Sequence, residues 1–162
     1  MRIGIGFDTH RFDPSRPLVL GGVEFPGEAG LAGHSDADLI CHAITDALLG
    51  AAGLGDIGEH FPDTDERHAG ANSLKLLKEI VSLLAKEGWV VANVDCVIVT
   101  EKPKIAVKRQ EMQDRLATAI GAPVSVKASR AEGLGAIGRA EGMACWATAL
   151  IESTVLIESN VS

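Results

Sequence analysis

In "GFDTHRF", residues 6 to 12, Asp8 and His10 stand two positions apart just after the alternating apolar residues Ile3, Ile5 and Phe7. Side chains alternate across a strand, so this spacing aims a carboxylate and an imidazole the same way. A second imidazole, His42, lies off the Ile40–Ile44–Ala47 stripe of the first helical pattern, on a line with Asp38 and Asp46. A histidine off the apolar stripe does not fill the core. Two imidazoles and a carboxylate leave a fourth tetrahedral position open, as catalytic zinc sites do. The same set also suits non-haem iron. Asp46, one turn on, is placed to hold the ring nitrogen that His42 does not give to a metal. Spacing alone permits a plainer reading too, in which Asp8 caps a turn and both histidines are surface residues, because Asp-x-His is a short pattern.

Three other groups of residues carry chemistry of less specific kinds. His60, Asp63, Asp65 and His68 form a second cluster, in a stretch so rich in turn formers that it reads as a solvated loop. "GLGAIG", residues 133 to 138, matches the dinucleotide fingerprint but has too little chain after it for that fold. Its glycines fit a tight backbone path beside a ligand or a subunit contact. Lys102, Lys104, Lys108 and Arg109 make a basic island, and "TEKPK" follows a strand where a loop can present N–H groups and a lysine to phosphate.

The elements that must position these groups follow from periodicity. Residues 2 to 8 read as a strand with Gly4, Gly6, Asp8 and His10 opposite Ile3, Ile5 and Phe7. "RPLVLGGVEFPG" suggests short strands and tight turns, and Ser35 to about Leu49 a helix, with Ser35 and Asp38 near a capping box. The long turn-rich segment "GLGDIGEHFPDTDERHAGANS" is of a kind usually functional. An amphipathic helix follows on Leu74, Leu77, Ile80, Val81 and Leu84, then the strand "WVVANVDCVIVTEKP" closed by Pro103, a helix over Ile105 to Ile120, the strand "PVSVKA", and "MACWATALIES" as helix or strand, with strand preferred. This order of elements is α/β.

Bulk properties set limits on partners. The chain has 162 residues, is 46% hydrophobic and carries a formal charge of −7, which argues against a nucleic-acid partner. The apolar runs are too short to cross a bilayer. "MRIGIGFD" lacks the regions of a signal peptide, so a bacterial-type cytoplasmic enzyme is expected. Cys41, Cys96 and Cys145 read as buried free thiols, and with no tyrosine and 4% aromatics the chain offers few stacking platforms.

Taken together, "GFDTHRF", "LAGHSDADLICHAITDALLGAAGLGDIGEHFPDTD", "TEKPK" and "EGLGAIGRAEGMAC" resemble the 2-C-methyl-D-erythritol 2,4-cyclodiphosphate synthase family, lyases of the non-mevalonate isoprenoid pathway. The likeness runs from Arg2 to about Ile151. It implies one α/β (α+β) domain over residues 1–162, with 152–162 as a C-terminal tail. It further implies a four-stranded mixed sheet with helices on one face, and a homotrimer whose sheets line a central channel and whose active sites lie between subunits. The activity implied is conversion of 4-diphosphocytidyl-2-C-methyl-D-erythritol 2-phosphate to the cyclic diphosphate, the 2-phosphate attacking the β-phosphorus and CMP leaving. The attacking phosphate is already anionic near neutral pH, so the difficulty is positioning and charge neutralisation rather than general-base strength.

By the same resemblance, Zn²⁺ is held by Asp8, His10 and His42, of which Asp8 and His10 also meet substrate, and Glu132 ligates a second divalent ion, Mg²⁺ or Mn²⁺. His34 and Ser35 contact the phosphate-bearing erythritol, His34 stabilising transition-state charge. Asp56 and Gly58 recognise the sugar alcohol, with Phe61, Asp63 and Asp65 on the same loop. Thr100 to Ala106, including Pro103 and Lys104, form a cytidine pocket made largely of backbone.

Two positions depart from the family pattern. In "KASRAEG", Ser129 keeps a hydroxyl while Arg130 replaces the threonine assigned to transition-state stabilisation; either Arg130 takes a phosphate oxygen or Ser129 serves alone. Ala136 stands where an aromatic often guards the central channel, so a prenyl diphosphate gripped there by Arg139 is expected to bind weakly or not at all. Two other classes fit parts of the pattern. A non-haem iron oxygenase would use the same triad but gives no role to "TEKPK" or Glu132, and a nucleotide-binding regulator would have lost turnover through the Thr-to-Arg change.

Overall fold

The computed structural model describes residues 1–65 and 70–154. Strand β1 (Arg2–Asp13) crosses directly beneath helix α1 (Leu39–Ala52), and its glycines are what let it do so. A Cβ added at Gly6 would lie 2.0 Å from the Ala43 carbonyl oxygen, and one at Gly4 would lie 2.0 Å from that of Ala47. No side chain fits in that gap, so helix backbone rests on strand backbone. The alternation read from sequence is present, but it is inverted relative to an ordinary half-buried strand. Ile3, Ile5 and Phe7 are 70%, 72% and 47% exposed, while the glycine face is covered.

The remaining strands among the described residues are the short pair β2 (Val19–Leu20) and β3 (Val23–Glu24), then β4 (Gly30–Leu31), β5 (Trp89–Val99), β6 (Val124–Ser129) and β7 (Gly142–Ser153). They form a two-stranded hairpin of β2 and β3 and a five-stranded sheet in the order β4-β1-β7-β5-β6. β7 lies antiparallel between β1 and β5, and β6 runs parallel to β5, so the sheet is mixed. The expected count of four strands is therefore corrected to five. The fifth is β4, whose Leu31 and Gly30 pair with Phe12 and Asp13 where β1 runs on past the predicted end at residue 8. Two residues carry no periodicity, so such a strand leaves no pattern to read.

Three longer helices cover one face of the sheet: α1, α3 (Ser73–Lys86) and α4 (Arg109–Ile120). Between α1 and α3 lies the single turn α2 (Ile57–His60), and a similar turn, α5 (Gly135–Gly138), precedes β7. Leu39, Ile40, Ile44 and Leu48 of α1, Leu77 and Leu84 of α3 and Met112 of α4 are fully buried between these layers. Cys41, Cys96 and Cys145 are buried free thiols, as expected. None of the helices among the described residues is long and apolar enough to cross a membrane.

Three boundaries differ from the sequence reading. α1 starts at Leu39, not Ser35, because the buried Asp38 is its cap: its carboxylate accepts the N–H groups of Cys41, Gly21 and Gly22. The helix expected over Ile105 to Ile120 is split, because Lys108 at φ −124° separates a 3₁₀ turn (Ile105–Val107) from α4. β7 takes in Glu152 and Ser153, the first residues of the expected tail, and residues 155–162 lie outside the described residues.

Asp38 thus ties the β2–β3 hairpin to the start of α1. Asp38→Ala would leave three N–H donors without their partner in or beside the core, at a cost of about 3 kcal/mol or more. A fall in Tm of roughly 6–12 °C is expected, and is checked by thermal unfolding.

Candidate metal centre and substrate pocket

The close contact of β1 with α1 determines the geometry of the metal centre. Asp8 and His10 continue the glycine face of β1 past the helix, and His42 sits on α1 next to Ala43, the residue whose carbonyl lies over Gly6. His42 Nδ1 is 2.9 Å from Asp8 Oδ2, His10 Nε2 is 2.9 Å from the same oxygen, and the two ring nitrogens are 3.4 Å apart. In a tetrahedral zinc site, bonds of about 2.0–2.1 Å place ligand atoms about 3.3 Å from one another. The three donors therefore already sit close to the edges of such a tetrahedron. The chemistry of the set fits a divalent cation: one anionic oxygen and two imidazole nitrogens, all half-buried.

Electrostatics points the same way. Burial opposes ionisation of Asp8, but hydrogen bonds and charge from His10 and His42 outweigh it and hold its carboxyl well below the usual carboxylate range. For His10, burial disfavours the cation, yet Asp8 overcomes this and raises its pKa. A divalent ion bound by these donors would compete with protons for them.

His10 and His42 line a cavity of about 460 Å³ together with His34, Ser35, Gly58, Phe61 and Asp63. Most residues expected from the loop before α1 and from the turn-rich segment thus converge with the triad. His34 Nε2 lies 3.2 Å from the Asp65 carbonyl oxygen, so Asp65 meets the site through its backbone. Asp56 caps α2, accepting the Glu59 N–H at 3.0 Å, and does not line the cavity. Of the rival cluster, His60 binds the Leu54 carbonyl at 2.8 Å, Asp63 lines the cavity, and His68 lies outside the described residues.

Asp46 does not hold His42. Its carboxylate accepts the Ile57 N–H at 2.8 Å and anchors the start of α2. The distal nitrogen of His42 instead faces Ser73 Oγ at 2.9 Å and Ser35 Oγ at 3.1 Å. Ser73 escaped the sequence reading because its signal, a serine at the start of an amphipathic helix, is the ordinary signal of a helix terminus.

A second cavity, of about 240 Å³, is lined by Thr100, Pro103, Lys104, Ala106, Ser129 and Arg130, and it shares none of its lining residues with the first. Thr100 closes a tight turn with Lys102 and its N–H donates to the Ser129 carbonyl at 3.1 Å, which joins the ends of β5 and β6. Arg130 is engaged: Nε and one terminal nitrogen bond Glu101 at 2.8 and 2.6 Å, while Glu101 also accepts the Ala131 N–H. Glu132 is exposed and lines neither cavity, and its φ of +52° turns the backbone sharply after Arg130. Arg139, also exposed, pairs with Glu141 at 2.7 Å. Between them the "GLGAIG" glycines form a tight path, with a Cβ at Gly138 falling 2.2 Å from the Gly133 carbonyl carbon.

Comparison with known proteins agrees over nearly the whole chain. The model of the YgbB family matches residues 1–152. A 2-C-methyl-D-erythritol 2,4-cyclodiphosphate synthase of Symbiobacterium thermophilum is 55% identical over 154 residues, covering 93% of this chain and 98% of the relative. A bifunctional enzyme IspD/IspF of Anaeromyxobacter dehalogenans is 58% identical over 151 residues, and there the match spans 91% of this chain but 39% of the relative. Among solved structures, the bifunctional IspDF of Campylobacter jejuni superposes with a TM-score of 0.90 at 42% identity, covering 94% of this chain and 42% of that one. A CDP-bound 2C-methyl-D-erythritol-2,4-cyclodiphosphate synthase superposes with a TM-score of 0.85 at 36% identity, covering 93% and 100%. With the fold, the triad and both cavities in place, the chain belongs to the YgbB family.

Proposed function

We propose that this chain is a metal-dependent cyclase. It would convert 4-diphosphocytidyl-2-C-methyl-D-erythritol 2-phosphate to CMP and 2-C-methyl-D-erythritol 2,4-cyclodiphosphate, the product that its relatives' names give. The observation that carries this reading is the meeting of Asp8, His10 and His42 at the wall of a cavity that also holds His34 and Ser35. Zn²⁺ is an ion this donor set suits, and the one the family resemblance implies. Bound there, it would supply Lewis-acid charge to a phosphate oxygen.

The chain's own residues do the positioning. His34 and Ser35 present donors to the phosphate on the erythritol, and Gly58, Phe61 and Asp63 shape the wall against the sugar alcohol. Asp56 holds α2 in place for that wall. The cavity at Thr100–Ala106 takes cytidine through backbone groups, Lys104 offsets diphosphate charge in a chain of net charge −7, and Arg130 would take a phosphate oxygen by giving up its pair with Glu101. Glu132, two residues after Arg130 and exposed, would hold a second divalent ion, Mg²⁺ or Mn²⁺.

The assembly in this reading is the homotrimer that the family resemblance implies, and the inverted strand supports a subunit contact. The face of β1 that carries Ile3, Ile5 and Phe7 is left open, Trp146 of β7 joins it at 41% exposure, and the Phe7 and Trp146 ring centroids are 4.8 Å apart. Apolar surface of this extent on a sheet face is typical of a subunit contact. Copies of the chain would meet there, bringing the metal centre of one to the cytidine cavity of the next. A prenyl diphosphate in the central channel is expected to bind weakly, with Ala136 at its mouth and Arg139 committed to Glu141.

The test is CMP release from the diphosphocytidyl substrate, measured beside sedimentation velocity. Stoichiometric CMP and cyclic diphosphate from a trimer is the expected outcome. Binding without CMP release would favour a non-catalytic regulator, and full activity from monomers would overturn the shared site. Arg130→Ala in the same assay is expected to lower turnover about tenfold, the equivalent of 1.36 kcal/mol. Unchanged turnover would remove Arg130 from the mechanism.

A further inference from the structure

We propose that Ser73, backed by Asp36, is a positioning residue of the metal centre: its hydroxyl oxygen accepts the Nε2–H of His42 and thereby presents Nδ1 to the ion. This inference rests on Asp8, His10 and His42 being the metal ligands.

The direction of each proton follows from Asp36. A serine hydroxyl has one proton to give, and a carboxylate can only accept. Asp36 Oδ1 makes a short contact with Ser73 Oγ, while Asp36 Oδ2 accepts the Ser73 N–H at 3.0 Å. The Ser73 hydroxyl proton is therefore committed to Asp36. Its lone pairs face His42 Nε2 at 2.9 Å, so Nε2–H donates to it, while Ser35 Oγ lies 3.1 Å from both Ser73 Oγ and His42 Nε2. A neutral imidazole protonated at Nε2 carries its lone pair on Nδ1. Nδ1 is the nitrogen that lies 2.9 Å from Asp8 Oδ2 and 3.4 Å from His10 Nε2.

The arrangement is built to be rigid. Ser73 is the first residue of α3 and is 1% exposed. Asp36 is pinned in turn, its N–H donating to the Ala71 carbonyl at 3.0 Å and its Oδ1 accepting the Asp38 N–H at 3.2 Å. Three parts of the chain are thereby locked around one imidazole: the loop before α1, α1 itself and the start of α3. An acceptor on the outer nitrogen of a ligating histidine fixes its orientation and raises its basicity, and losing one typically costs about 10–100-fold in metal affinity.

Two readouts on the zinc-loaded protein test this. Chelator competition should give Ser73→Ala a zinc affinity about 10–100-fold below wild type, with Ser73→Thr, which keeps the hydroxyl, recovering most of it. In ¹H–¹⁵N spectra, the His42 Nε2 proton of wild type should be shifted downfield and slow to exchange, and in Ser73→Ala it should move upfield and exchange quickly. Wild-type affinity together with an unmoved resonance in Ser73→Ala would overturn the proposal. Should that variant not fold, the wild-type spectrum decides, because a His42 Nε2 proton exchanging as freely as in an exposed imidazole overturns it equally. Wild-type protein that binds no zinc through Asp8, His10 and His42 would remove the metal reading itself, and this inference with it.

Discussion

His42→Ala is expected to yield a folded protein that retains almost no zinc and releases CMP at least about a thousandfold more slowly, since a bound metal contributes several kcal/mol of transition-state charge stabilisation. The fold should survive for local reasons. The His42 side chain is half-buried at the edge of α1, alanine is the best helix former, and Asp8 keeps His10 as a partner at 2.9 Å. Metal content, circular dichroism and CMP release on one preparation separate the outcomes. Full turnover with zinc lost would take the ion out of the reaction. Lost turnover with zinc retained would assign His42 a role other than ligation.

Gly6→Ala is expected to have one of the largest effects of any single methyl group added to this chain. The new Cβ would lie 2.0 Å from the Ala43 carbonyl oxygen and 2.6 Å from the Ala47 nitrogen, both main-chain atoms that no rotamer change can move aside. Helix and strand would have to separate by about 1 Å to reach the 3.0 Å below which real contacts essentially do not occur. Overpacking typically costs 1–3 kcal/mol, and a clash between two backbones belongs at the top of that range or above it, about 3 kcal/mol or more. The same separation would carry His42 away from Asp8, so zinc affinity should fall along with Tm, although Gly6 is no ligand. Gly50→Ala is the control: no atom lies within 4 Å of a Cβ at Gly50, and alanine there should stabilise α1 by roughly 0.5–1 kcal/mol. A Gly6→Ala protein with unchanged Tm and zinc affinity would contradict the close-contact argument.

These two variants also mark what could be read from sequence. The period-two face that joins Asp8 to His10 was legible, because alternation is a property of the strand itself. The convergence of His42 was reachable only as a possibility. It depends on how deeply α1 settles on β1, and the alternating glycines that permit this read equally well as a weak strand. Asp46 and Ser73 show the limit more sharply. One helical turn from His42 made Asp46 the natural partner, but Asp46 is drawn to the Ile57 N–H, and the partner came from 31 residues away in sequence. Asp38 looked like one of several acids on a helix face and proved to be the buried cap of α1. Ile3, Ile5 and Phe7 carried a correct alternation whose orientation the pattern does not encode, since their apolar face is turned away from the chain's own helices.

The most direct measurement is anomalous diffraction at the zinc absorption edge, on crystals of the protein grown with zinc. One ion bonded to Asp8 Oδ2, His10 Nε2 and His42 Nδ1, with bonds of about 2.0–2.1 Å and a fourth position open to solvent or substrate, is the expected result. A fully active enzyme whose zinc lies elsewhere, or whose three side chains point apart with no ion between them, would contradict it.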